Sequence, residues 1–412
     1  MTATASDTAS LPCCRLCGHT DYFLGDHLVE AHDLTLDAYL KTFPGSATVA
    51  QEVLDLEEKG RAKGVRRDGP PADTSLSVSL RGFDVPVNPD VDVADCLPLP
   101  DHYRFPEHGD LAVDIVEALI SIIRGRHTYI FGLPGSGKDA LLHAFSYLTR
   151  RPTLIRQVDP NVDIESWLYT REFDEKGTAW QEQELLIALR EGYLTSTGRR
   201  IPYTILITDF DRANKAQAEF LRMILDSISG RVRGPAGKIY TVFPGTQIVV
   251  TANTAGGGDT RGRMVSANVI DGSILDRFER VFQFHWMEWL DEEPIVKAKF
   301  PFLAQRCPGM FKQVGKATSS LRDAIYKETL YAEFSHRGVC KWLGHAEDIV
   351  AMTGSVPKNL PSRAARAFLD GMPDDETRLQ AQRLIDPHIK GGVVGVQDAA
   401  SASSDPLGGF GG

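Results

Sequence analysis

One glycine-rich segment, GLPGSGKD at residues 132–139, constrains the fold more than any other part of the chain. It follows an apolar run at residues 128–131 and precedes an amphipathic run at residues 140–148. Because glycine lacks a Cβ atom, successive backbone N–H groups can curl inward around a polyphosphate. The segment therefore predicts a strand that ends in a phosphate-binding loop and continues directly into a helix. A glycine-rich turn that binds nothing is the alternative interpretation.

The residues of this loop have separate predicted roles in nucleotide binding. Lys138 would place an ammonium charge at the β- and γ-phosphates, and the helix that begins there adds its positive N-terminus. Position 139 normally carries a serine or threonine whose hydroxyl ligates Mg²⁺, whereas this chain has Asp139. The residues predicted to contact ATP in this loop are Gly132, Pro134, Gly135, Ser136, Gly137, Lys138 and Asp139.

A second apolar strand ends in polar residues, as the other half of a nucleotide site requires. Residues 205–207 are apolar and are followed by Thr208 and Asp209. Such strands usually end in Asp-Glu, where the Asp supports the magnesium shell and the Glu polarises the attacking water. By position, Thr208 replaces that Asp and Asp209 replaces that Glu.

The residues at 139 and 208 suggest a reciprocal exchange of a hydroxyl and a carboxylate across the metal. The hypothesis is that Asp139 approaches magnesium, that Thr208 hydrogen-bonds Asp139, and that Asp209 orients the attacking water. The alternative is a degenerate site that binds nucleotide and hydrolyses it slowly or never, because both positions depart from the usual motif.

A third buried strand, at residues 248–252, ends in an amide. Asn253 follows it and is placed to reach the γ-phosphate or its attacking water. Further on, Arg277 follows a flexible loop and is suited to reach the γ-phosphate of a neighbouring subunit. A surface salt bridge of Arg277 with Asp276 or Glu279 is the alternative.

Composition narrows the class of protein. The 412-residue chain is 42% apolar with a net charge of −10, which argues against protein-wide binding to nucleic acid or anionic membranes. No apolar run reaches membrane-spanning length, and the N-terminus lacks a signal-peptide core, so we expect a cytoplasmic protein without a membrane partner. Three of the six cysteines cluster at residues 13, 14 and 17, which favours metal binding over a disulfide framework.

Cys14, Cys17, His27 and His32 have the spacing of a small zinc module. Two thiolates from a tight knuckle and two imidazoles one turn apart on a helix suit a closed tetrahedral Zn²⁺ site. The short interval between the two pairs resembles the fingers of bacterial Ros/MucR-type regulators, and this resemblance leaves DNA binding open. A reduced cysteine knuckle with two surface histidines is the alternative.

Residues 82–350 resemble an AAA+ ATPase of the MoxR-related group, and most closely the CobS-type ATPase subunit of aerobic cobaltochelatase. Beside the phosphate-binding loop, the motifs that carry this resemblance are DHYRF at 101–105, TANT at 251–254, GDT at 258–260, DR at 276–277 and SHR at 335–337.

The resemblance implies roles for three residues and two further hairpins. Asn253 corresponds to the first sensor of the family, Arg277 to its trans-acting arginine finger, and Arg337 to its second sensor. ATP and Mg²⁺ are the implied ligands. Inserted hairpins are implied within residues 158–195 and 228–246.

We therefore predict an α/β fold, an AAA+ P-loop core with a parallel sheet and a helical lid, preceded by the small zinc-finger-like module. The predicted segments are a disordered N-terminus (1–12), the zinc-finger-like module (13–44), a linker (45–81), the ATPase core with an extended arm (82–290), the helical lid (291–388) and a disordered tail (389–412).

The predicted function is ATP-driven remodelling of a partner by a ring, predicted as a hexamer because a finger arginine works only across an interface. In the chelatase that the chain resembles, ATP hydrolysis assists cobalt insertion into a corrin, together with a partner that bears a metal-adhesion-type domain. One alternative is a nucleotide-gated DNA-binding or scaffold protein with a weak or inactive ATPase. Another is a MoxR-like motor whose protein client is unrelated to cobalamin.

Overall fold

The structure is a computed structural model of the chain. It describes residues 13–19, 28, 31–32, 34, 36–44, 46–47, 76–174, 177–225, 230–258 and 267–392. Two units are present, Met1–Ala72 and Asp73–Gly412. The predicted disordered N-terminus, most of the predicted linker and most of the predicted tail lie outside the described residues, as does His27.

The described residues of the N-terminal unit include a small apolar cluster. Cys14, Leu28 and Tyr39 are buried together, and Phe43 packs against them. The helix α1, Leu36–Thr42, carries Tyr39, whose hydroxyl accepts a hydrogen bond from the Arg15 N–H at 2.8 Å. Units of this size usually depend on a metal or on disulfides for their stability.

The larger unit contains the remaining described elements. Its strands are β1 Ser77–Leu80, β2 Phe83–Pro86, β3 Thr128–Phe131, β4 Thr153–Gln157, β5 Tyr169–Asp174, β6 Gly177–Glu182, β7 Tyr193–Leu194, β8 Arg200–Ile201, β9 Thr204–Thr208, β10 Arg231–Arg233, β11 Ile239–Thr241, β12 Gln247–Ala252 and β13 Arg280–Gln283. Its helices are α2 Gly109–Ile123, α3 Lys138–Thr149, α4 Glu184–Glu191, α5 Lys215–Ile224, α6 Gly272–Leu275, α7 Trp289–Lys299, α8 Pro301–Arg306, α9 Pro308–Tyr326, α10 His336–Thr353, α11 Leu360–Leu369 and α12 Asp375–Ile389.

Five of these strands form a parallel sheet in the order β13-β3-β12-β9-β4. The central strand β12 is buried along its whole length, as expected for a strand covered on both faces. In parallel strands the carboxyl ends lie at one edge, so the residues after β3, β12 and β9 meet there. The candidate site lies at this edge of the sheet.

Helices cover both faces of the sheet, and alternate residues of β12 show the division. Val249 packs with α2 and α3 in one apolar cluster. Ile248 and Val250 pack with α4 and α5 in another cluster. The predicted α/β core is therefore confirmed, since a period of two places successive side chains on opposite faces.

Antiparallel hairpins decorate this core. The pairs β5–β6 and β10–β11 lie where the two inserted hairpins were predicted. The pair β1–β2 begins at Ser77, several residues before the predicted end of the linker at residue 81, and it buries Leu80 and Val85. The run SVSL alternates polar and apolar residues, which is the pattern of a half-buried strand, and the two residues after it, Arg81 and Gly82, form the turn into β2.

The C-terminal helices α7 to α12 form the helical region predicted as a lid. Trp342 lies at its centre, fully buried, and its indole N–H donates to the Pro361 carbonyl at 2.9 Å. The longest of these helices, α9, begins at Pro308 and ends at Tyr326. Proline is favoured in a first turn, and Glu328 has a left-handed φ of 59° that cannot continue a helix.

Among the described residues, no helix combines the length and the apolar character needed to span a membrane.

Candidate nucleotide-binding site

The loop between β3 and α3 has the backbone conformation of a phosphate cradle. Gly135 and Gly137 have left-handed φ values of 71° and 88°. A Cβ atom at Gly135 would lie 2.5 Å from the Ser335 Cβ, and one at Gly132 would collide with the Phe284 carbonyl, whereas Gly137 faces open space. No described group accepts a hydrogen bond from the N–H of Gly135 or Gly137. The cradle therefore has room and free donors for an anion.

Lys138 is the buried cation of this cradle. Its ammonium donates to the Gly132 carbonyl at 2.7 Å, to the Leu133 carbonyl at 3.3 Å and to Asn253 Oδ1 at 3.3 Å. Burial lowers the pKa of Lys138, while Asp139 and two other nearby carboxylates oppose that shift. Phosphate oxygens would be stronger partners than these neutral carbonyls, so the lysine is placed to exchange them for a polyphosphate.

Asp139 is paired with a hydroxyl, but not with the predicted one. The Thr251 hydroxyl donates to Asp139 Oδ1 at 2.7 Å, and no described hydrogen bond joins Thr208 to Asp139. The sheet order explains the difference: β12, which carries Thr251, pairs directly with β3, whereas β9, which carries Thr208, lies one strand further away. The carboxylate at the loop is thus matched by a hydroxyl from the neighbouring strand.

Asp209 lies at the carboxyl end of β9. It adopts a left-handed conformation with φ 56°, which turns the chain sharply after the strand. Gln157, at the end of β4, donates to Asp209 Oδ2 at 2.9 Å and fixes this carboxylate. An acid held in this way at the sheet edge can orient a water molecule and accept its proton.

Asn253 follows β12 at the same edge, and its amide oxygen accepts a hydrogen bond from the Lys138 ammonium. Its backbone N–H donates to Asp211 Oδ2 at 3.2 Å. The structure therefore brings Lys138, Asp139 and Asn253 together with Asp211, a residue that was not predicted. In the sequence, Asp211 is distinguished only as the second acid after β9.

A cavity of about 260 Å³ lies above the loop. Its wall is formed by Pro100 and Tyr103 of the extended arm, by Ile295, and by Arg337 of the helical region. Arg337 is exposed at the start of α10. Arg337 lines the same cavity as the loop residues, and its second-sensor role remains a prediction.

The helical region is fastened to the loop by polar contacts. The Trp286 indole N–H donates to the Pro134 carbonyl at 2.9 Å. Behind it, fully buried Glu292 accepts from Arg322 at 2.7 and 3.2 Å and faces His336 Nδ1 at 2.8 Å. Burial opposes ionisation of Glu292, but Arg322 and His336 prevail and lower its pKa. Burial also opposes protonation of His336, yet Cys340 and Glu292 raise the pKa of His336 to about 9.

Arg277 lies on the turn that follows α6. Its guanidinium donates to the Ser273 carbonyl at 2.5 Å. Among the described ion pairs there is no salt bridge from Arg277 to Asp276 or Glu279, which was the alternative interpretation. Glu279 pairs with Arg126 instead. The trans-acting role predicted for Arg277 remains a prediction.

The N-terminal unit carries a separate candidate metal site. Ligand atoms of Cys14, Cys17 and His32 lie within 4.8 Å of one another, with His32 Nε2 at 3.6 Å from the Cys14 sulfur and 3.3 Å from the Cys17 sulfur. Burial opposes thiolate formation, but the backbone N–H groups of Leu16 and Cys17 lower the pKa of Cys14. Two thiols and an imidazole are a donor set that suits Zn²⁺. The fourth predicted ligand, His27, lies outside the described residues.

The fold and the site together define an AAA+ ATPase-type domain with the P-loop fold. Residues 127–278 match the family model described as the AAA domain (dynein-related subfamily). That match includes β3, α3, β9 and β12, which carry the candidate site.

The chain is also similar to solved structures of two other proteins. One is a mutant of RuvB from Thermotoga maritima, at 13% identity over 69% of this chain and 72% of that chain, with a TM-score of 0.40. Another is NtrX from Brucella abortus in complex with ADP, at 12% identity over 71% of this chain and 65% of that chain, with a TM-score of 0.42. Neither similarity is close enough to bear on what this chain binds. No curated protein matches the chain.

Proposed function

We propose that the protein binds and hydrolyses ATP and uses the energy to remodel a partner. The observation that carries the proposal is the convergence of Lys138, Asp139, Asp209 and Asn253 at the carboxyl edge of one parallel sheet. Binding sites in parallel α/β sheets occur at this edge. A triphosphate and its metal require a phosphate cradle, a buried ammonium group and hydrogen-bonded carboxylates, and all three are present at this edge.

Each residue has a defined part in this proposal. Lys138 would leave the loop carbonyls and bind the β- and γ-phosphates, while Asn253 holds the γ-phosphate or its water. Asp209, fixed by Gln157, would orient that water and accept its proton. Asp139, paired with Thr251, would hold Mg²⁺, which neutralises phosphate charge when bound.

The partner and the assembly are proposed from the resemblance. A ring of six copies would bring Arg277 of one subunit to the nucleotide of the next. The chain resembles the ATPase subunit of cobaltochelatase. In that enzyme other subunits carry out the corrin chemistry, and the ATPase subunit has a partner with a metal-adhesion-type domain. A protein client unrelated to cobalamin would use the same nucleotide site.

Hydrolysis measured at several protein concentrations tests this proposal. We expect Mg²⁺-dependent ATP turnover whose specific activity rises with protein concentration, because the site is completed across an interface. Arg277→Ala should lose the concentration-dependent part, whereas Arg280→Ala, an exposed arginine three residues away, should keep it. Nucleotide binding without turnover at any concentration would contradict the motor and favour the degenerate site.

A second candidate function is nucleotide-gated DNA binding or scaffolding, with the N-terminal unit as the working end. The convergence of Cys14, Cys17 and His32 favours it, because a zinc module of this kind can present a helix to a partner. Structural zinc in such modules supplies about 10–16 kcal/mol of binding energy that is also folding energy.

Metal content and DNA binding test this second candidate. We expect one zinc ion per chain, lost in Cys14→Ser and kept in Cys13→Ser, and duplex DNA binding that weakens steeply with salt. Zinc chelation should remove the DNA binding. Wild-type protein without zinc, or with zinc but without salt-dependent DNA binding, would contradict it.

A further inference from the structure

We propose that Asp211 supplies the magnesium-shell carboxylate that position 208 lacks, by accepting a hydrogen bond from a water molecule bound to the Mg²⁺ of ATP. This inference rests on the proposed function, since it assumes a magnesium nucleotide at the loop. It assigns to Asp211 a role that the motif would give to the residue three positions earlier.

The first argument is that one carboxylate oxygen of Asp211 is buried without a hydrogen-bond donor. The Asp211 side chain is only 1% exposed. Its Oδ2 accepts from the Asn253 N–H at 3.2 Å, whereas its Oδ1 is buried and has no hydrogen-bond partner among the described residues. A buried carboxylate oxygen without a donor destabilises a fold, because the oxygen has lost its hydrogen bonds to water. Such an atom is explained if a ligand supplies the donor.

The second argument is the position of Asp211 beside the loop lysine. Asn253 links the two residues, because its backbone N–H donates to Asp211 Oδ2 at 3.2 Å and its side-chain oxygen accepts from the Lys138 ammonium at 3.3 Å. Asp139 adjoins this lysine in the sequence, and Asp209 lies two residues before Asp211. The site thus concentrates negative charge around one buried ammonium, which is the arrangement that a divalent cation would relieve.

The third argument is that Asp211 is held rigidly. The left-handed turn at Asp209 leads into a 3-10 turn at Phe210–Arg212, and this turn contacts β12. The Asp211 carbonyl accepts from the Asn268 N–H at 2.6 Å, and the Asn268 amide donates to the Ala213 carbonyl at 3.2 Å. A carboxylate fixed in this way can hold a metal-bound water without ordering itself first.

A purely structural role must be separated from this one. Asp211 also positions Asn253 through the backbone N–H, and that role needs only an acceptor oxygen. Asparagine at position 211 keeps such an oxygen and the side-chain shape but removes the charge. Asp211→Asn therefore preserves the positioning contact and removes the carboxylate that would bind the hydrated ion.

The experiment is calorimetric titration of ATP at Mg²⁺ concentrations from zero, with EDTA, to saturation. We expect Asp211→Asn to bind ATP in EDTA as the wild type does, and to need at least about tenfold more Mg²⁺ for half-maximal enhancement, as for loss of an outer-shell metal partner. Thr208→Asp in the Asp211→Asn background should restore the wild-type Mg²⁺ midpoint. Asp375→Asn, an exposed acid on α12, serves as the control.

An unchanged Mg²⁺ midpoint in Asp211→Asn would overturn the inference and leave the proposed function intact. Equal loss of ATP binding in EDTA and in Mg²⁺ would also overturn it, since only the structural role would remain. If the asparagine variant does not fold, Asp211→Ser, which also offers an acceptor to Asn253, gives the same comparison. Wild-type protein that binds no ATP would refute the proposed function itself.

Discussion

Asp209→Asn should lower ATP hydrolysis by about 10²–10⁴-fold while ATP binding is retained, which is the range for loss of a general base. The side chain sits at the end of β9, fixed by Gln157 at 2.9 Å, and an amide of the same shape can keep that contact. An amide cannot accept a proton from water. Binding depends instead on the loop amides and Lys138, which this substitution does not touch.

Single-turnover hydrolysis beside a calorimetric binding isotherm measures both quantities. Asp375→Asn on the surface of α12 is the matched control and should hydrolyse ATP at the wild-type rate. Wild-type turnover in Asp209→Asn would show that another residue activates the water. Loss of ATP binding in this variant would assign Asp209 to nucleotide binding instead.

Glu292→Gln should destabilise the helical region by about 3–5 kcal/mol, because it leaves a buried guanidinium without its counter-charge. Arg322 and Glu292 have side chains only 7% and 1% exposed. The same arginine donates to the Met287 carbonyl at 2.8 Å and to the Phe334 carbonyl at 3.2 Å. Loss of the pair therefore loosens the segment that joins the helices to the loop.

Thermal unfolding measures this effect, with Asp370→Asn as the control. The pair of Arg366 and Asp370 is exposed, with side chains 74% and 57% accessible, so its loss should change stability by no more than about 1 kcal/mol. If both variants lose the same small amount of stability, Glu292 contributes no more to the stability of the fold than a surface charge does. A variant as stable as the wild type would mean that the neutral amide satisfies Arg322 equally well.

The same cluster predicts a dependence of stability on pH. The pKa of His336 is raised to about 9 from its usual 6.5. A raised folded-state pKa contributes stability that is complete below pH 6.5 and is lost as the pH rises through about 9. Glu292→Gln should flatten this part of the stability profile.

Local sequence patterns predicted the phosphate loop and the strands, because loop chemistry and apolar runs are encoded in adjacent residues. Lys138, Asp139 and Asn253 follow directly from such patterns, and the structure brings them together. Their convergence needed only the rule that parallel strands share a carboxyl edge.

Strand order across the sheet could not be read from local patterns. The partner of Asp139 is Thr251 because β12 is inserted between β3 and β9, and spacing along the chain favoured Thr208. Asp211 was missed for a related reason: its importance comes from burial and from the unpaired Oδ1 atom, both of which depend on tertiary packing. Glu292 stands in a run of three acids at residues 291–293, and nothing local distinguishes it from its neighbours, because its burial against Arg322 depends on tertiary packing.

Calorimetric titration of ATP into the wild-type chain, with Mg²⁺ present, tests the central claim most directly. The claim is that backbone amides of the glycine loop and the Lys138 ammonium together hold a triphosphate. We predict saturable binding of one ATP per chain that Lys138→Ala abolishes. Wild-type protein that releases or absorbs no heat with ATP, or binding that Lys138→Ala leaves unchanged, would contradict the account.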